Sequence, residues 1–196
     1  YAIARVKSQL DSEQIPTSKL EQGGVDYIEL RSLDLNPFFR VGIDLETIYF
    51  LEMLLIFCFL KPSEKINNDE LKTISNNDLV VARFGRKPKI TLNNQKSNVT
   101  LKEWGNQILD EMFLIAELLD TSHISYTNII TKMKFRINNP EATPSALLVE
   151  KTALEKNSFM NIGRSIGEEN KEHYLKIKSS DNPNWQLLKL ETKRSI

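Results

Sequence analysis

A single cysteine in 196 residues leaves no partner for an internal disulfide, so the fold must be held by its core, and the expected compartment is a reducing cytosol. Charge of one sign is also lacking. Lys+Arg and Asp+Glu both number 26, and the basic stripe of a nucleic-acid binder is missing, so no nucleic-acid partner is expected. No apolar run reaches the roughly 20 residues that a membrane span needs. The longest, Leu45 to Leu60, is interrupted by Glu46 and Glu52 and closed by Lys61-Pro62. Histidine is nearly absent too: His123 and His173 lie in polar contexts, without Cys, Asp or Glu at metal-ligand spacing, and read as surface residues. No arrangement supports Ser/His/Asp or Cys/His nucleophilic catalysis. Gly163 and Gly167 follow no strand and make no dinucleotide loop.

What is present suffices for one domain with a sizeable core, since 40% of the residues are hydrophobic. Tyr1 to Lys7 reads as extended, Ser18–Gln22 as a helical turn, and Gly23-Gly24 as the opening of a strand that Asn36-Pro37 stops. Asp44 is placed to cap a helix over 45–60 that is apolar on nearly all sides, which predicts a buried central helix with Cys58 as a packing residue. Lys61–Asp78 reads as a polar, Asn-rich loop with one short helix near Asp69–Ile74; Leu79–Phe84 and Lys89–Leu92 read as short strands. Thr100 and Glu103 form a capping box, followed by an apolar stripe of Leu101, Trp104, Ile108, Met112, Ile115 and Leu119. Further helices are expected from Ser125 to Phe135 with Ile129, Ile130 and Met133 inward, from Thr143-Pro144 onward, and from Ser158 to Ile177. There is no internal repeat. The predicted class is α+β: 1–44 and 79–92 strand-rich, 45–60 and 100–177 helical.

The chemistry concentrates in residues 23 to 38, Gly-Gly-Val-Asp-Tyr-Ile-Glu-Leu-Arg-Ser-Leu-Asp-Leu-Asn-Pro-Phe. Strand alternation puts Val25, Tyr27, Glu29 and Arg31 on one face and Ile28 and Leu30 on the other, where they can bury against helices. One face therefore carries a carboxylate and a guanidinium two positions apart, beside a phenol. A hard carboxylate oxygen suits Mg²⁺, and a planar charged fork suits phosphoryl oxygens. On spacing alone, a surface strand with a Glu/Arg pair is the commoner explanation. Arg83, Arg86, Lys87 and Lys89 form a second basic cluster, readable as phosphate-facing or, more commonly, as a solvated turn.

Gly23–Phe38 resembles the segment GG(I/V)-(E/D)-YIE-(V/L)-RSLD-(I/L/V)-NPF of proteobacterial-type glutamate–cysteine ligases, which make γ-glutamylcysteine, the precursor of glutathione. Gly42-Ile43-Asp44 with the apolar helix after it, Gly85-Arg86-Lys87-Pro88 and Thr143-Pro144-Ser145-Ala146 are similar, in the same order, to that family's G-(V/I)-D, GRKP and TPSA motifs. Tyr1-Ala2-Ile3-Ala4-Arg5-Val6-Lys7 resembles its Y-x-x-I-R-P-K, with the isoleucine and proline replaced. Lys89 stands where the family commonly has glycine, Phe39-Arg40 where Ser-Pro is usual, and Leu147 where an arginine often follows. The likeness covers nearly the whole chain but about two-fifths of the family's length, its C-terminal part; from Ser179 on it is poor. With Tyr1 in place of Met, the expectation is a fragment whose N-terminal part is absent.

The resemblance implies a glutamine-synthetase-like ligase with a few antiparallel cleft-lining strands before a helical half, all of 1–196 belonging to one catalytic domain. It implies ATP and Mg²⁺ as cofactors, L-glutamate and L-cysteine as substrates, and a γ-glutamyl phosphate intermediate. Glu29 is the implied metal ligand and Arg31 the catalytic arginine that holds the phosphoryl group. Arg5 is assigned to ATP phosphates, and Tyr1 to the cysteine pocket. A cytoplasmic enzyme is expected, inactive as this fragment alone. A related carboxylate–amine ligase with another amine acceptor, or a non-catalytic helical partner-binding module, are the alternatives.

Overall fold

The computed structural model describes residues 3–8, 16–154, 158–177 and 184–194. The class is α+β, with two two-stranded antiparallel sheets among helices. The chain divides into two compact units, Tyr1–Asn36 and Pro37–Ile196. No helix among the described residues is long and apolar enough to cross a membrane.

In the first unit, β1 (Ala4–Lys7) and β2 (Tyr27–Leu30) pair antiparallel, with helix α1 (Pro16–Gly23) between them in sequence. The register sets Ala4 against Leu30, Arg5 against Glu29, Val6 against Ile28 and Lys7 against Tyr27. Two further backbone bonds prolong the ladder: Arg31 N–H donates to Ile3 O at 2.8 Å and Asp26 N–H to Lys7 O at 2.9 Å. Directly opposed residues share a face, so Arg5 and Lys7 join Tyr27, Glu29 and Arg31 on one side. The other side carries Ala4, Val6, Ile28 and Leu30. Burial there is only partial, contrary to expectation. Leu30 is half-buried, but Ile28 is 48% exposed beside an equally exposed Val6, because two strands of four residues cover little of their own apolar face.

The second unit is built on three helices: α2 (Leu45–Leu60), α4 (Leu101–Leu119) and α5 (Tyr126–Asn138). Between α2 and α4 lie helix α3 (Asn68–Phe84) and the strands β3 (Thr91–Asn93) and β4 (Asn98–Thr100). After α5 come a 3₁₀ turn (Pro140–Ala142), then α6 (Pro144–Leu154), α7 (Phe159–Lys176) and α8 (Trp185–Arg194). The core joins Met53 of α2 to Leu109, Met112 and Ala116 of α4 and to Tyr126, Ile129 and Ile130 of α5. Met53, Met112 and Ile130 are fully buried. The Tyr49 and Tyr126 rings meet edge to face at 5.5 Å. The acids that interrupt the apolar run are used: Tyr126 Oη donates to Glu52 at 2.8 Å, and Glu46 pairs with Lys132. Lys61, just past α2, pairs with Glu111.

The caps form as the sequence predicts. Asp44 accepts from Thr47 N–H at 2.7 Å, and Thr100 with Glu103 makes a reciprocal capping box. Three expectations are corrected. First, α2 is not a buried central helix: α4 and α5 cover one side, and Met53 is its one buried residue, while Phe59 is 89% exposed and Cys58 is exposed rather than packed. Second, Leu79–Phe84 is helical. Asn67 caps α3 by accepting from Asp69 and Glu70 N–H, and acids in the first turn favour the helix dipole. Asn77 then ties the helix to β3, its amide donating to Asn93 O at 2.8 Å and accepting from Asn93 N–H at 3.1 Å. These contacts outweigh the strand preference of Val80-Val81. Third, the strand expected over Lys89–Leu92 is displaced to Thr91–Asn93, where it finds a partner in β4.

The glycine of Gly85-Arg86-Lys87-Pro88 ends α3, its N–H donating to Val81 O at 2.8 Å. A Cβ at Gly85 would lie 2.7 Å from that same carbonyl oxygen, whereas at Gly163, inside α7, it would meet nothing within 4 Å. Gly85→Ala is therefore expected to cost about 1–3 kcal/mol through backbone crowding. Gly163→Ala should add up to about 1 kcal/mol through helix propensity. Thermal denaturation checks both, at about 2–4 °C per kcal/mol for a chain of this size; equal Tm values for the two variants would refute this reading.

Candidate functional site

The face shared by β1 and β2 gathers three cations around one carboxylate. Glu29 stands directly across from Arg5, with Lys7 two residues further along β1 and Arg31 two residues beyond Glu29. Arg31 Nε donates to Glu29 Oε1 at 3.1 Å, and Lys7 Nζ lies 3.3 Å from Oε2. Oε2 is buried and faces the Lys7 ammonium, its one close charged neighbour, in a contact whose geometry is poor for a hydrogen bond. The carboxylate thus holds Arg31 at one oxygen and Lys7 at the other.

The electrostatics follow from that arrangement. The Lys7 ammonium is the main cause holding the Glu29 carboxyl below its ordinary value; burial opposes it, and Arg31 adds to the lowering. Arg31 spends only its Nε on Glu29. Among the described residues its terminal nitrogens have no hydrogen-bond partner, and the Arg5 guanidinium has no hydrogen bond or ion pair. Three cations against one carboxylate leave a local excess of positive charge, set in a backbone register and ready for an anion with several oxygens.

Strand alternation places Glu29 and Arg31 together, as the sequence predicts, and the β1–β2 register brings Arg5 alongside. Tyr1, assigned to a cysteine pocket, lies outside the described residues. Lys7 is the member that sequence reasoning passed over, although it has the same alternation parity as Arg5; only the pairing of two segments 20 residues apart brings it to Glu29. No group of three or more His, Cys, Asp or Glu side chains able to hold a metal occurs among the described residues, so Glu29 belongs to no such cluster.

Removing Lys7 gives a direct check of the clamp. Glu29, with its lowered pKa, should stay ionised in acid where an ordinary glutamate is half-protonated, and its contribution to stability should fade as pH falls through that lowered value. Carboxyl-detected NMR titration of Lys7→Met is expected to move the Glu29 midpoint upward; an unchanged midpoint would remove Lys7 from the site.

The family model described as glutamate-cysteine ligase matches residues 1–81. A glutamate–cysteine ligase of Alcanivorax borkumensis is 33% identical over 95% of this chain and 36% of its own length. One of Wigglesworthia glossinidia brevipalpis is 35% identical over 100% of this chain and 39% of its own. The chain therefore spans little more than a third of the curated relatives it matches. Among solved structures, glutamate–cysteine ligase from Francisella tularensis in complex with AMP superposes with a TM-score of 0.82 at 27% identity, covering 91% of this chain and 35% of that one. With relatives aligned along nearly all of its length and the family match falling on the strand pair that carries the charged face, this chain belongs to the glutamate–cysteine ligase family.

Proposed function

We propose that this chain supplies the phosphate-handling strands of an enzyme that joins the γ-carboxyl of L-glutamate to the amine of L-cysteine at the expense of ATP, through a γ-glutamyl phosphate. The observation that carries the reading is the charged face of β1 and β2: Arg31 is oriented by Glu29, while its terminal nitrogens and the whole of Arg5 remain available. The family supports the ligase chemistry, and the AMP bound by the Francisella tularensis enzyme supports a nucleotide as its energy source.

In phosphoryl transfer the protein mainly positions groups and neutralises charge. Arg31, locked by its Nε bond to Glu29, presents its remaining donors to the oxygens of the transferring phosphoryl group, where charge builds as the bond breaks. Arg5, across the ladder, takes up phosphate oxygens of the nucleotide. Mg²⁺ would fit at Glu29 Oε2, a buried hard oxygen whose close charged neighbour, the Lys7 ammonium, would have to give way to it. This ion is usually held by carboxylates together with substrate phosphates, and Glu29 would be one of its ligands rather than the whole site. Bound there, Mg²⁺ would draw charge from the phosphate oxygens. Lys7 holds the carboxylate ionised and in place. Tyr1 is assigned the seat of the cysteine substrate.

Two substitutions, made in the natural polypeptide that carries these residues, test the reading. Arg31→Lys keeps the charge but loses the two-pronged fork, and is expected to lower kcat roughly a hundredfold, or about 3 kcal/mol of transition-state stabilisation. A raised KM with kcat unchanged would make Arg31 a ground-state binding residue and overturn its catalytic role. Glu29→Gln keeps the shape without the charge that a hard cation prefers, so turnover should fall most steeply at limiting Mg²⁺. Full activity at limiting Mg²⁺ would return Glu29 to a structural ion pair.

A further inference from the structure

Within the second unit lies a groove of about 1310 Å³ that the ligase reading does not use. One wall is the end of α3 with the Gly85–Pro88 turn. The floor is one face of α4, and the far wall is α5 with the segment from Pro140 to Ser145. Its apolar lining includes Ile108, Leu109, Met133, Ile137, Phe50 and Phe84. Its polar lining is cationic: Arg83, Arg86, Lys87, Lys89, Lys102 and Arg136 stand against one carboxylate, Glu141. In a chain whose 26 cations balance 26 anions, six to one is a local segregation of charge.

Most of these cations are not consumed by the fold. Among the described residues Arg83, Lys89 and Lys102 make no ion pair, Arg136 donates to Met133 Sδ rather than to a carboxylate, and Lys87 lies over the Phe84 ring at 4.5 Å. Lys89 holds a φ of +59°, in the left-handed region that a lysine seldom occupies, yet it lines the groove. The one pair that is made indicates what the wall accepts. Arg86 Nη1 donates to Glu141 at 3.2 Å, linking the turn to the 3₁₀ segment. Glu141 is 79% exposed in that pair, so an incoming carboxylate can replace it at little cost.

We propose that this groove docks a segment of another polypeptide in which acidic residues flank apolar ones, the apolar side chains seating on the α4 floor and the carboxylates on the cationic rim. Its volume exceeds the 300–1,000 Å³ usual for a small-molecule pocket, and its floor has no use for a bare phosphate. The adaptable Met133 suits a side-chain anchor. A single-stranded nucleic acid would want a row of open aromatic faces for its bases, and the lining offers two phenylalanines, Phe50 and Phe84, the latter with Lys87 over its ring. This inference stands apart from the ligase site, and its variants leave the residues of β1 and β2 untouched.

Fluorescence anisotropy of the natural polypeptide that carries these residues, with a labelled peptide of about nine residues in which Glu alternates with Leu and Phe, tests it. Two control peptides replace every Glu by Gln, or every apolar residue by Ala, and a labelled oligothymidylate is the third probe. The acidic–apolar peptide is expected to bind at micromolar concentration, at least about tenfold tighter than either control peptide and than the oligothymidylate. The double variant Arg86→Gln/Lys89→Gln should weaken it at least about tenfold, with Lys102→Gln as a second variant should the first misfold by circular dichroism. Glu141→Gln, which frees Arg86, should tighten it severalfold. Three results would each overturn the proposal: no binding at millimolar peptide, affinity unchanged by the rim variants, or preference for the Gln peptide or the oligonucleotide.

Discussion

Everything assigned to the first unit depends on the pairing of Arg5 with Glu29 across two antiparallel strands. Each strand has only four residues, and the ladder is prolonged at its ends by Arg31 N–H to Ile3 O and Asp26 N–H to Lys7 O. A one-residue slip would send Arg5 and Lys7 to the opposite face and leave Glu29 facing Ala4 or Val6. In the observed register the carboxylate lies between an ammonium and a guanidinium, and each neighbour gains from it. Glu29 is kept ionised, Arg31 is held in one orientation, and Lys7 has a partner. Exposed ion pairs contribute little to stability, so the cluster matters chiefly for how its charges are placed.

The second unit meets a different problem, which is how to use a helix that is apolar almost all round. Met53 and the aromatic residues Tyr49, Phe50 and Phe57 pack on α4 and α5, and the polar residues along and just past the helix fix its orientation. Glu46 reaches Lys132, Glu52 accepts from Tyr126, and Lys61 pairs with Glu111. Tyr126 serves twice, its ring against Tyr49 and its hydroxyl on Glu52, whose acceptance of that bond is the main cause that raises the phenol's pKa. Leu45, Phe59 and Leu60 stay exposed. The same three-helix core gives the cationic groove its floor, since Leu109 belongs to both.

Local signals proved the readable ones. Asp44, the Thr100–Glu103 box and Ser158 begin helices where their side chains can accept from early backbone N–H groups, and strand parity alone puts Glu29 beside Arg31. What escaped reading depended on distant partners. Val80-Val81 carries strand propensity, but the Asn67 cap and the grip of Asn77 on Asn93 hold it in α3. An apolar run without periodicity cannot announce which side will be covered, so α2 was expected to be buried and Cys58 to be packed. The hairpin of Thr91–Asn93 with Asn98–Thr100 turns through Gln95 at a φ of +74° in an Asn-rich stretch that reads as loop. Lys7 belongs to the site by register, which no single segment reveals.

The central claim is that Glu29 and Arg31 act together on the phosphates of a nucleotide, with a metal ion at Glu29 Oε2. Crystals of the natural polypeptide grown with Mn²⁺ and a non-hydrolysable ATP analogue test it most directly, because anomalous scattering locates the ion independently of any assay. The account predicts an anomalous peak within coordination distance of Glu29 Oε2, with phosphate oxygens shared between that ion and the terminal nitrogens of Arg31. A metal held wholly by other carboxylates, with Glu29 still closed between Lys7 and Arg31 and no phosphate on Arg31, would contradict it.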